Sequence, residues 1–151
     1  TTELLIPRGP EDGGPFLTGP VLGTRPEPTA PAKRSTRSVV ESFESSVDDV
    51  VWRDAAPSAL THVCRFDPWP ERTRFDVQRI VLDGSGAEVA RLEPTEVDLS
   101  GWKALQCRAI VDAIPTEALP PGDYRFEVRI DDEGQRTAVD RRFRLDPTAA
   151  N

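Results

Sequence analysis

Tyr124-Arg125-Phe126-Glu127-Val128-Arg129-Ile130 decides the fold class of this chain. Apolar residues alternate strictly with charged ones, so a strand buries Tyr124, Phe126, Val128 and Ile130 and turns Arg125, Glu127 and Arg129 to water. A helix would scatter the same residues around its axis. The turn Asp131-Asp132-Glu133-Gly134 follows, and a last strand shows Val139, Phe143 and Leu145.

The same period of two extends upstream. Asp76 to Asp83 and Ala87 to Leu92 read as a hairpin around Asp83-Gly84-Ser85-Gly86, whose glycines suit a tight turn. Leu60 to Phe66 reads as a strand with Leu60, His62, Cys64 and Phe66 on its inner face. Trp102 to Ile114 reads as a long strand with Leu105, Cys107, Ala109 and Val111 inward. Val39–Ser45 and Val50–Arg53 are shorter candidates, and no segment has convincing helical periodicity. Seven or eight short strands separated by turn signals predict an all-β, antiparallel sandwich.

A boundary is expected near residue 38. Residues 1–38 hold seven of the 15 prolines and five of the ten glycines, which remove ladder donors and raise the entropy cost of ordering. The predicted organisation is an extended Pro/Gly-rich arm at 1–38, a β-sandwich domain at 39–147 and a C-terminal tail at 148–151. Two readings of the arm stand side by side: an inert tail, or an arm that docks on a larger protein or a second copy. The second reading rests on its grouped apolar residues, Leu4, Leu5, Ile6, Phe16, Leu17, Val21 and Leu22. Trp69, in the loop Asp67-Pro68-Trp69-Pro70, joins them as a candidate partner contact, because no strand face claims its indole.

Charge and composition exclude several classes. The net charge of −7 leaves no basic excess for a phosphate backbone, so nucleic acid is not an expected partner. No apolar run approaches the ~20 residues of a membrane helix, and Thr1 to Pro10 shows no basic segment followed by an apolar stretch. A cytoplasmic location is expected, with Cys64 and Cys107 as reduced core residues rather than a bridge.

Residues for chemistry are scarce. The single His62 alternates in phase with Leu60 and Cys64, which suits a structural histidine more than a triad base. The acidic groups Asp48-Asp49, Glu93/Glu96/Asp98 and Asp131-Asp132-Glu133 read as solvated turn residues, and Asp83-Gly84-Ser85-Gly86 and Asp131-Asp132-Glu133-Gly134 lack the ligand spacing of a calcium loop. No catalytic residue, metal or cofactor is expected.

Leu119-Pro120-Pro121-Gly122-Asp123-Tyr124, just before the penultimate strand, resembles the corner of immunoglobulin-like and fibronectin-type domains. There a tyrosine at the start of the strand bonds its hydroxyl back to the upstream backbone. The resemblance implies an immunoglobulin-like β-sandwich. Val50-Val51-Trp52, Asp83-Gly84-Ser85-Gly86, Ser100-Gly101-Trp102 and Pro121-Gly122-Asp123-Tyr124 are also similar to features of small accessory domains on bacterial surface-polysaccharide and teichoic-acid-type transferases. The expected function is a non-catalytic binding or assembly module. The alternatives are an accessory carbohydrate-binding domain and, further off, a small enzyme using an acidic pair.

Overall fold

The computed structural model describes residues 14–24, 43–45, 49–55, 57–66, 73–101, 105–132 and 134–147. These form two sheets around one core. Strands β1 (Phe16–Thr24), β2 (Glu44–Ser45), β4 (Pro57–Arg65) and β8 (Gln106–Ala113) make a four-stranded sheet in the order β2-β1-β4-β8. Strands β3 (Val50–Trp52), β10 (Gln135–Asp146), β9 (Gly122–Asp132), β5 (Arg74–Asp83) and β6 (Glu88–Arg91) follow one another in the second. β7 (Thr95–Asp98) completes that sheet by pairing with β5. All pairs are antiparallel except β3 with β10. β7 lies against Arg74 to Val77 and β6 against Ile80 to Leu82, so the two short strands together line one edge of β5.

The class is all-β, as the alternation in β9 predicts. Tyr124, Phe126, Val128 and Ile130 are at most 6% exposed and share the core with Phe75, Val77, Phe143 and Leu145. Each such side chain contributes about 1.5–3 kcal/mol on burial. The Asp83–Gly86 turn closes the β5–β6 hairpin, with Gly86 at φ +86°. One oxygen of Asp83 accepts from the Ser85 amide, the Ser85 hydroxyl and the Ala87 amide.

Four expectations need correction. The first is the boundary at residue 38. Residues 16–24 are not part of an arm; they form β1, which pairs with β4 from Phe16↔Cys64 to Thr24↔Pro57. A register shift between Thr18 and Val21 takes up Gly19 and Pro20, the pair that argued against a strand. Gly19 sits at φ +101°, and a Cβ there would lie 2.9 Å from the Leu60 carbonyl oxygen. Only glycine suits that position.

The second concerns Leu17 and Leu22 as partner contacts. Both are core residues, 6% and 1% exposed.

The third is the facing of β4 and β8. Ala59, Thr61 and Val63 of β4 are wholly buried, while Leu60 and His62 are half-buried on the opposite face. On β8, Ile110 packs on the core and Asp112 reaches between the sheets, so Cys107, Ala109 and Val111 point away from it. β4 is apolar on each face, and on β8 the more polar face, Gln106, Arg108 and Asp112 beside Ile110, is the one turned to the other sheet, so alternation alone does not say which face turns inward.

The fourth is the thiol pair. Cys64 and Cys107 are bridged, not reduced. They are register partners on neighbouring strands with Cα atoms 4.1 Å apart, within disulfide reach once the strands pair.

Candidate functional site

The outer faces of the two sheets differ in kind. Arg125, Glu127, Arg129, Asp140 and Arg142 stand on the outer face of the six-stranded sheet, from β9 and β10. They pair with one another: Arg125 with Asp140 at 3.2 Å and Arg129 with Glu127 at 3.1 Å. This is the solvated face expected of an antiparallel sheet.

The outer face of the four-stranded sheet is apolar. Cross-strand partners share a face, so the register gives its rows directly. Phe16, Cys64 and Cys107 form one row; Thr18, His62 and Ala109 the next; Val21, Leu60 and Val111 a third. Phe66 extends this face past the end of β4 and stacks on Phe16, with ring centroids 4.8 Å apart and planes at 19°. Leu105 precedes β8 on the parity of Cys107. No position in these rows carries a formal charge other than through His62. Val21 is 37% exposed, Phe66 44% and Leu105 49%. Contiguous apolar patches are where interaction sites are commonly found when they are large.

The structure divides the residues picked out from the sequence. Phe16 and Val21 lie on the apolar face, for a reason the composition of the arm did not suggest: they belong to a strand whose other side is core. Leu4, Leu5, Ile6 and Trp69 lie outside the described residues. Leu60, Phe66, Leu105 and Val111 were read as inward and are instead part of the face. For Leu60 and Phe66, on and just past β4, the sequence signal is a strand apolar on both sides in an antiparallel sheet, because such a strand implies cover on each side.

The acidic residues are engaged in the fold. Asp49 accepts from Arg141 at 2.8 Å, Asp131 from Arg136 at 3.0 Å, and Arg74 lies 3.9 Å from Glu96 and 3.8 Å from Asp98. The Ser85 hydroxyl first, and the Ala87 amide next, hold the Asp83 carboxyl below its ordinary value. The Ser100 amide does the same for Asp98. An open hollow of about 590 Å³ between the β5–β6 turn and the ends of β9 and β10 is lined by Asp49, Asp83, Asp123, Arg125, Arg142 and Arg144. Its acids Asp49 and Asp83 are the ones already bonded. Among the described residues the carboxyl raised above its ordinary value is that of Asp112, raised by burial against the opposing pull of Arg79, and it lies between the sheets. Among the described residues no group of three or more His, Cys, Asp or Glu could hold a metal ion, and no helix is long and apolar enough to cross a membrane.

No family model matches the chain. No curated protein matches it. Among solved structures it is similar to a family 123 glycoside hydrolase from Clostridium perfringens, studied for glycolipid glycan hydrolysis, at 12% identity and a TM-score of 0.39. The match covers 89% of this chain and 27% of that one, so the chain spans about a quarter of the hydrolase's length. A likeness of that degree carries no functional argument.

Proposed function

We propose that this chain is a non-catalytic binding or assembly module, an immunoglobulin-like sandwich that seats another protein on the outer face of its four-stranded sheet. The observation that carries this is the contrast between the two outer faces: one charged and internally paired, the other uncharged with Phe66 and Leu105 each nearly half exposed.

Two features support the immunoglobulin-like assignment. β1, β4 and β8 lie side by side, as do β5, β9 and β10, which matches the A-B-E and C-F-G groupings of that class. The Tyr124 hydroxyl, at the start of the penultimate strand, donates to the Pro120 carbonyl. The bridged Cys64–Cys107 pair supports an oxidising compartment rather than the cytoplasm. Leu4, Leu5 and Ile6 keep a proposed role as further partner contacts.

A protein partner is favoured over carbohydrate. Sugars need several hydrogen-bonding groups beside an aromatic platform, and around the Phe16–Phe66 stack the rows offer Thr18 and His62 amid the disulfide and aliphatic side chains. The test is capture from extracts of the source cells by the parent, by Phe66→Lys/Leu105→Lys, and by Arg142→Glu on the charged face. Substitutions at such exposed positions shift stability by only about 0.5 kcal/mol. A protein held by the parent and by Arg142→Glu, but lost by the double variant at unchanged melting temperature, is the expected result. Equal capture by all three sinks the assignment of this face.

A further inference from the structure

We infer that β8 is a self-association edge, along which a second copy of this chain adds antiparallel to continue the four-stranded sheet. This does not depend on the proposed partner face, because it concerns backbone groups at the margin of the sheet rather than side chains on its surface.

β8 ends the order β2-β1-β4-β8, and among the described residues it has a strand neighbour on one side only. The register shows which of its groups face the open side. Cys64 and Cys107 have Cα atoms 4.1 Å apart, the narrow spacing of an antiparallel pair that exchanges no hydrogen bonds with each other. Ile114, seven residues on and of opposite parity, does bond toward β4, donating to the Pro57 carbonyl at 2.9 Å. The even-numbered residues of β8 therefore bond to β4. The amides and carbonyls of Cys107, Ala109, Val111 and Ala113 point to the open edge. The strand has no proline, lysine or bulge to blunt it, and its two charges, Arg108 and Asp112, are of opposite sign. Among the described residues, the Cys107 carbonyl is the one of these outward groups with a side-chain donor, the Arg108 guanidinium at 3.0 Å.

Self-pairing must oppose odd residues to odd residues, and the side chains choose among the possible registers. Centred on Ile110, the antiparallel pair sets Ala109 against Val111 of the second copy and Arg108 against Asp112 of the second copy. The small side chains meet on the outer face, and opposite charges meet on the other. Registers displaced by one residue at the centre oppose Arg108 to Ile110 or to Ile114 and lose that match. Asp112 gains from a second guanidinium, because burial outweighs Arg79 in setting its ionisation. The resulting sheet carries the two apolar faces side by side.

The experiment is sedimentation equilibrium of the oxidised chain across a concentration series from micromolar to near-millimolar, with amide hydrogen exchange at both ends. Expected are a monomer–dimer equilibrium and concentration-dependent protection confined to the Cys107, Ala109, Val111 and Ala113 amides. Val111→Pro removes an edge donor without touching a bond to β4, and should abolish the dimer at an unchanged melting temperature. Arg108→Glu opposes two acids and should weaken association at least tenfold; it serves as the arbiter where Val111→Pro perturbs folding. A chain that stays monomeric throughout overturns the inference. So does a dimer indifferent to Arg108→Glu, or one whose added protection falls elsewhere, including an association through the Phe66–Leu105 face.

Discussion

Arg79 of β5 and Asp112 of β8 reach from opposite sheets and meet at 3.1 Å with both side chains less than a tenth exposed. Arg79 Nε contacts both carboxylate oxygens, and Nη1 donates to the Val77 carbonyl at 2.8 Å. The pair joins the two layers across a core that is mostly apolar. Breaking a buried ion pair from one side leaves an uncompensated charge, which costs about 3–5 kcal/mol. Asp112→Leu is expected to destabilise by that order, and Arg79→Met likewise. The double variant Arg79→Met/Asp112→Leu should recover most of the loss, since a well-packed apolar pair replaces both charges. Denaturant midpoints across the four-member cycle check this, and additive losses would exclude coupling between the two residues.

The Cys64–Cys107 bridge closes 43 residues. Restricting a loop of that size in the unfolded chain stabilises by about 4 kcal/mol on the chain-entropy account. Reduction, or the Cys64→Ala/Cys107→Ala variant, should lower the denaturant midpoint accordingly. Thiol counting in denaturant without reductant should find none. Two titratable thiols there would contradict the bridge.

Tyr124→Phe removes the hydroxyl that reaches the Pro120 carbonyl and leaves the ring against Phe143, whose centroid is 5.7 Å away. The expected loss is about 0.5–1.5 kcal/mol. A variant with the parent's unfolding midpoint would show that the corner is held by packing alone.

Gly19→Ala combines a positive φ with a Cβ 2.9 Å from the Leu60 carbonyl oxygen. Backbone strain of that kind costs about 1–3 kcal/mol. The thermal midpoint should fall. An unchanged midpoint would mean that β1 does not bulge there.

Asp83 has a folded-state pKa below its ordinary value of 3.8, so its contribution to stability is present above that value. It is lost as pH falls through the lower, folded value. Asn at 83 can still accept the Ser85 and Ala87 amide bonds but does not titrate. Between pH 5 and pH 2.5 the parent should therefore lose more thermal stability than Asp83→Asn. Parallel losses would place the acid sensitivity elsewhere.

Parts of this molecule were legible because one face of a strand is charged. β9 and β10 could be oriented from sequence, since Arg125, Glu127 and Arg129 have no place in a core. β4 could not: Leu60, His62 and Cys64 are as plausible inside as Ala59, Thr61 and Val63, and the choice depends on the opposite sheet. Arg65, buried and bonded to the Leu99 and Gly101 carbonyls, stands on the inner face, although an arginine ordinarily marks the wet side. β1 was hidden by Gly19-Pro20, which breaks a regular ladder and is accommodated only by a bulge. The disulfide required knowing that β4 and β8 are neighbours, a fact of topology rather than of spacing. The apolar face followed from those same three strands, and so escaped with them.

The bridge also bears on how this module behaves when pulled. Cys64 and Cys107 lie on adjacent strands, and the chain between them includes all of β5, β6 and β7. Tension applied from outside that interval can peel β1, β9 and β10 away, but the enclosed segment cannot pay out while the sulfurs stay joined. At roughly 3.4 Å per residue, the 43-residue interval withholds about 150 Å of extension. A tethered chain therefore has two reaches, a short one when oxidised and a longer one after a reductant cuts the bridge, and the redox state of its surroundings sets how far it can stretch before it is fully drawn out.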